Sequence, residues 1–208
     1  MRFTAAICMA LVPLLSMSVR ADGDVEAGRR HFTACAACHG AAAEGNPALQ
    51  APRLNHLRPV YILAQLRSFR GGLRGGDPGT AAAQMAGMAA TLPDEQAMLD
   101  VAVYIATLSG GPSPATVEGD RDMGADYYNQ FCGACHGPAA EGNVALHSPR
   151  LAGTDDWYLL AQLQSFREGR RGSHPEDRTG RQMRAMAGVL PDEQAARDVI
   201  AFIRGLEP

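Results

Sequence analysis

The chain has 208 residues, with 19 basic side chains against 22 acidic ones and a formal net charge of −3. Every basic residue is an arginine, and with Arg2 and Arg20 set aside the balance is near −5, unlike the net basic balance expected of a nucleic-acid binder. Beyond the first twenty or so residues no stretch approaches about 18 consecutive apolar residues, so no membrane span is expected there.

The chain opens as an export signal over residues 1–21. Arg2 supplies the positive start, Phe3 to Val19 is mostly apolar through Ile7, Leu11, Val12, Leu14 and Leu15, and Val19-Arg20-Ala21 offers small residues for cleavage near Ala21. The apolar run is short and interrupted by Pro13; an uncleaved anchor is the competing reading. The expected location of the mature chain is the periplasm.

Next, Val25 to Cys35 reads as a short helix that delivers Cys35-Ala36-Ala37-Cys38-His39. Asp122 to Cys132 delivers Cys132-Gly133-Ala134-Cys135-His136 in the same way. Of the five cysteines, Cys8 falls in the signal and the other four form the two CxxCH sets. Two short-range disulfides would not explain a histidine directly after each pair. A single zinc site built from two CxxC pairs is the other competitor. In an exported chain the pattern favours covalent haem. The cysteines, one helical turn apart, form thioethers to the haem vinyl groups, and His39 or His136 reaches the iron as proximal ligand.

The rest of the chain is a duplication. A shift of 97 carries Cys35 onto Cys132, Pro52-Arg53-Leu54 onto Pro149-Arg150-Leu151, and Ser68-Phe69-Arg70 onto Ser165-Phe166-Arg167. After a one-residue insertion the shift is 98, and Met85, Met88 and Leu92-Pro93-Asp94 fall on Met183, Met186 and Leu190-Pro191-Asp192. The reading is a domain over 22–109, a Gly/Pro-rich linker over 110–117 and a second domain over 118–208. In each copy a helix places Ile62, Leu66 and Phe69, or their counterparts in Trp157 to Phe166, on one face. A last helix begins at Pro93 and again at Pro191, with Val101, Tyr104, Ile105 and Leu108 (matched by Val199, Phe202, Ile203 and Leu206) on one side. Each unit is small for a self-sufficient core, and a buried haem would add apolar bulk.

A sixth iron ligand must be Met or His, since the chain has no lysine and no thiol outside the signal and the CxxCH sets. His31, His56, His147 and His174 have no histidine at the repeat-equivalent position and read as surface residues. Met85 with Met183, and Met88 with Met186, both keep register. Between the second copy's middle helix and these methionines lie Arg167, Arg170, Arg171, Arg178, Arg181 and Arg184, against Glu168, Glu176 and Asp177, a local net of +3 that reads as a solvated face, as partners of haem propionates, or as a docking patch.

The CxxCHG sets, the Pro-Arg-Leu loops, the Tyr-x-x-x-Gln-Leu-x-x-Phe helices and the Met followed by a Leu-x-Asp helix, all occurring in order twice, resemble the cytochrome c4 family. The resemblance implies an all-α fold of two tandem class I cytochrome c domains, each wrapped around one covalent haem, and two haem c in all. It selects Met85 and Met183 as axial ligands, since the family's ligand stands seven residues before the Leu that opens the last helix. It also implies that the carbonyls of Pro52 and Pro149 accept a hydrogen bond from the proximal histidines. Gly28 and Gly124 would mark where first and last helices cross, facing Tyr104 and Phe202, although Gly28 precedes its first Cys by seven residues and Gly124 by eight.

With both irons closed by His and Met, the implied function is a periplasmic electron carrier and not an enzyme. It would link a quinol-oxidising respiratory complex to a terminal oxidase, and peripheral membrane association is compatible with it. The competing readings are an electron-accepting subunit of a dehydrogenase, such as a flavocytochrome that oxidises sulfide, or a dihaem thiosulfate dehydrogenase or peroxidase with an open iron.

Overall fold

The computed structural model describes residues 22–206; the expected export signal lies outside the described residues. The first copy contains α1 (Val25–His39), α2 (Pro59–Arg70), α3 (Ala81–Ala90) and α4 (Glu95–Ile105). The second contains α5 (Arg121–Tyr127), α6 (Gly133–His136), α7 (Asp156–Arg167), α8 (Arg178–Ala187) and α9 (Glu193–Arg204). Among the described residues there is no strand, only isolated bridges between Asn46 and Ala51 and between Asn143 and Ser148.

The frame of each copy is the crossing of its first and last helices, α1 on α4 and α5 on α9. Asp24 caps α1 by accepting from Ala27 N at 3.0 Å, and its own amide donates to the buried Asp100 Oδ1 at 2.8 Å. Asp120 and Asp198 repeat the link at 2.8 Å. At the crossing there is no room for a side chain: a Cβ on Gly28 would lie 2.0 Å from Asp100 O, and one on Gly124 2.0 Å from Asp198 O. Tyr104 and Phe202 are the side chains these glycines face.

The spacing mismatch in the second copy is absorbed by a π-helical turn, Tyr128–Cys132, between α5 and α6. The extra residue is accommodated there, and both the glycine crossing and the CxxCH set keep their places. Tyr128 consequently takes the place of Phe32. Phe32 packs on Tyr104 with ring centroids 5.5 Å apart, and Tyr128 packs on Phe202 at 5.4 Å.

Two details differ from the sequence expectation. The last helices begin at Glu95 and Glu193, not at the prolines, because Asp94 and Asp192 serve as N-caps, each accepting from an amide three residues on at 2.8 Å. The expectation also lacked α3 and α8, the helices that carry the methionines. In α3 the signal was a run of alanines, the best helix former, behind a Thr80 cap. In α8 the cap is Asp177.

Each copy buries its own core. The first gathers Phe32, Ile62, Leu66, Phe69, Val101 and Ile105; the second gathers Tyr128, Leu190, Val199 and Ile203. The segment joining them is strapped to the second copy. Asp155 accepts from Ser113 N at 2.9 Å, and Asp156 accepts from Thr116 N and Val117 N at 2.6 and 2.8 Å. These acids replace Arg58-Pro59 of the first copy, so the strap has no counterpart there. Arg53, buried, crosses the seam: its amide donates to Asp155 Oδ2 at 3.1 Å, and its guanidinium donates to Gly153 O at 2.8 Å and to Gly110 O.

Candidate haem sites

In the first copy the whole Cys-Ala-Ala-Cys-His set lies in the last turns of α1, so Cys35 and Cys38 sit one turn apart. Cys35 is half-buried and packs on the core, whereas Cys38 is exposed. Cys132 ends the π turn and Cys135 lies in α6, with the same half-buried and exposed pair of environments.

His39 and His136 close these helices, each only 7% exposed. Their chemistry is set by the loop that follows. His39 Nδ1 lies 2.8 Å from Pro52 O, and His136 Nδ1 lies 2.9 Å from Pro149 O. A carbonyl oxygen only accepts, so Nδ1 carries the proton and the lone pair stays on Nε2. Burial pushes both imidazoles below the usual histidine range, with the hydrogen bond to the carbonyl offsetting part of that shift, so both rings are neutral near pH 7. A neutral imidazole with a bare Nε2, beside two thiols one turn apart, fits a covalently held haem iron. A zinc site fits less well. Burial pushes the Cys35 thiol up and the Cys132 thiol up to about 11. Among the described residues no three His, Cys, Asp or Glu side chains converge.

The methionine pairs separate by exposure. Met88 and Met186 face solvent at 37% and 39%, while Met85 is partly buried against the first core and Met183 is half-buried on α8. Of the four unpaired histidines, His56 is not a surface residue. It is packed at the seam, where Nε2 lies 2.7 Å from Thr154 Oγ1 and Nδ1 has no partner. Burial, then Arg53 and Arg150, push its pKa down to about 3. The sequence hid this because its partner lies 98 residues away.

Arg171, grouped with the surface arginines on sequence, is instead an interface residue. With its repeat mate Arg74 it lies between α2 and α7, each guanidinium stacked on an aromatic ring, Arg74 at 4.4 Å from the Phe69 centroid and Arg171 at 4.5 Å from that of Phe166. The shift of 97 that relates the two copies pairs Arg74 with Arg171. Burial and repulsion from Arg171 lower the Arg74 pKa. Burial also opposes the charge of Arg171, but Tyr61 and Tyr158, with Asp177 behind them, more than offset it.

Comparison with known proteins agrees with this geometry. The cytochrome c family profile matches twice, over residues 25–109 and 122–207. Cytochrome c4 of Azotobacter vinelandii is 30% identical over 97% of this chain and 98% of its own. A thiosulfate dehydrogenase electron acceptor of Thiomonas intermedia is 38% identical over 68% of this chain and 66% of its own. The crystal structure of reduced recombinant cytochrome c4 from Pseudomonas stutzeri superposes with a TM-score of 0.70 at 29% identity, covering 89% of this chain and all of that one. With two tandem all-α cytochrome c domains and their two covalently bound haem c groups, the chain belongs to the cytochrome c4 family.

Proposed function

We propose that this protein is a periplasmic electron carrier that takes electrons from a quinol-oxidising respiratory complex and delivers them to a terminal oxidase. One haem is held by thioethers to Cys35 and Cys38 and ligated by His39 and Met85; the other is held by Cys132 and Cys135 and ligated by His136 and Met183. When bound, each haem exchanges one electron, and a Met ligand keeps its potential relatively positive. The protein's part is to hold each imidazole in one tautomer and orientation through Pro52 or Pro149, and to bury the iron's surroundings. The carrying observation is that this arrangement occurs twice without divergence: the histidine to proline hydrogen bonds are 2.8 and 2.9 Å, and in each copy the inner Met is shielded while the outer one faces solvent. A site that had turned to substrate chemistry would need an open or displaceable ligand in one copy.

Carbon monoxide added to the reduced holoprotein at neutral pH tests this reading. Both haem spectra should stay unchanged. Rapid binding at one haem, with turnover of thiosulfate or peroxide, would make the protein an enzyme.

A second reading has a specific observation in its favour, the likeness to a thiosulfate dehydrogenase electron acceptor. In that role the haems are the same and the donor is a dehydrogenase. Thiosulfate alone should then leave the oxidised protein unreduced, and addition of a thiosulfate-oxidising enzyme should reduce it.

A further inference from the structure

The two methionine-bearing helices have the same place in their domains and opposite surface chemistry. In the register that aligns Met85 with Met183, Arg178, Arg181 and Arg184 of α8 correspond to Thr80, Ala83 and Ala86. No charged residue occurs in α3, whereas these three arginines of α8 are all exposed. The inner side of α8 is formed by Gly180, Met183 and Ala187, so the arginines lie on the outer side of the segment that carries the candidate ligand.

This stripe works against the stability of its own helix. Positions three apart on a helix are neighbours, so Arg181 repels both Arg178 and Arg184. Arg178 and Arg181 also stand near the helix N-terminus, where the backbone dipole disfavours cations. Compensation is sparse. Arg170, the nearby exposed arginine, pairs with Glu168, and Arg181 donates to Pro175 O at 3.2 Å, but no ion pair holds Arg178, Arg181 or Arg184 among the described residues. From Glu118 onward the chain carries ten arginines against fourteen acids, so the concentration of positive charge on α8 runs against the average of its own domain. At the C-terminal end of the stripe Met186 and Val189 are exposed, an apolar spot beside a basic one. A small apolar contact edged by charge is the composition of a protein–protein interface, and it lacks the deep apolar face of a membrane-seated helix.

We propose that the outer face of α8 is the docking surface for a redox partner protein whose own electron-transfer site is edged by carboxylates. The uncharged α3 of the first domain offers that partner no matching charge. The inference rests on the carrier reading and adds the chemistry of one partner.

The test uses the holoprotein with two acidic probes. Oxidised plastocyanin stands for an acidic protein acceptor, and phosphatidylglycerol vesicles stand for an anionic membrane. The variant R178Q/R181Q/R184Q removes the stripe and relieves repulsion, so its haem spectrum should be unchanged and its thermal midpoint should not fall. The single variant R184Q provides an intermediate dose, and R29Q/R30Q, exposed on α1, controls for net charge. At low salt the triple variant should pass electrons to plastocyanin about tenfold more slowly than the parent, with the difference fading as salt screens the charges. Equal rates at low salt would overturn the proposal. So would an equal fall in R29Q/R30Q, which would make the effect one of net charge. A loss confined to vesicle binding, with the plastocyanin rate intact, would assign the stripe to a membrane surface instead. Failure of the parent protein to reduce either plastocyanin or ferricyanide would remove the carrier reading itself.

Discussion

Arg74 and Arg171, equivalent residues of the two copies, are joined through a shared pair of amides. Gln65 Oε1 accepts from Arg74 at 2.7 Å and from Arg171 at 3.0 Å; Gln162 Oε1 accepts from Arg74 at 2.7 Å and from Arg171 at 2.8 Å. Each guanidinium also reaches the other copy's tyrosine, Arg74 to Tyr158 at 3.0 Å and Arg171 to Tyr61 at 3.3 Å. The duplication has thus produced a pseudo-symmetric polar lock that neither domain forms alone.

Breaking half of that lock should loosen the domains. Arg74→Leu strips both glutamines of one donor and Tyr158 of its partner, at a cost of about 2 kcal/mol. The double variant Arg74→Leu with Arg171→Leu should cost more than the sum of the singles, because either single leaves Gln65 and Gln162 one donor each and relieves the repulsion between the arginines, whereas the double leaves both amide oxygens with none. Thermal unfolding of the holoprotein measures both, and strict additivity would mean that the arginines act independently.

The π turn gives the second haem site a tether that the first lacks. Tyr128 is fully buried and its hydroxyl donates to Gly137 O at 2.6 Å, immediately after His136, whereas the first copy has Phe32 at that place. Tyr128→Phe should cost about 1 kcal/mol and shift the potential of one haem while the other stays put. Potentiometry with two resolved waves checks this; equal movement of both waves would contradict it. Gly124→Ala should be far more damaging, by about 3 kcal/mol, since the new methyl group collides with the Asp198 carbonyl, a backbone atom that cannot rotate away.

Ligand choice within the methionine pairs is open to spectroscopy. With Met183 on the second iron, Met183→Ala should remove half of the Met-to-iron charge-transfer absorbance and lower one potential, and Met186→Ala should leave both nearly unchanged. The reverse pattern would move the ligand to the exposed member of the pair.

His56 should make the seam sensitive to acid. Its pKa in the folded protein is about 3, below that of a free histidine near 6.5. The contribution is fully present above about pH 6.5. As the pH falls from there towards 3, the unfolded chain takes up a proton that the folded protein refuses, and stability drops with a limiting slope of about 1.4 kcal/mol per pH unit. His56→Asn, which cannot titrate, should flatten this limb relative to the parent. Urea midpoints at several pH values between 4 and 7 give the comparison, and parallel curves would exclude His56 as the source.

What the sequence by itself determined is what depends on local spacing and on the repeat. The CxxCH sets, the helices carrying Ile62 and Phe69, and the pairing of Met85 with Met183 are legible because their information lies within a few residues or is stated twice. Only the tertiary structure decided the rest. The sequence left the second glycine crossing unresolved by one residue, and the π turn at Tyr128–Cys132 settles it because a helix can absorb an insertion locally when its ends are held by packing. It left Arg171 among surface charges and His56 as an exposed lone histidine; both are half-buried at a seam between residues about a hundred positions apart. Burial there is a property of how two folded copies meet, and neither composition nor periodicity within one copy encodes it.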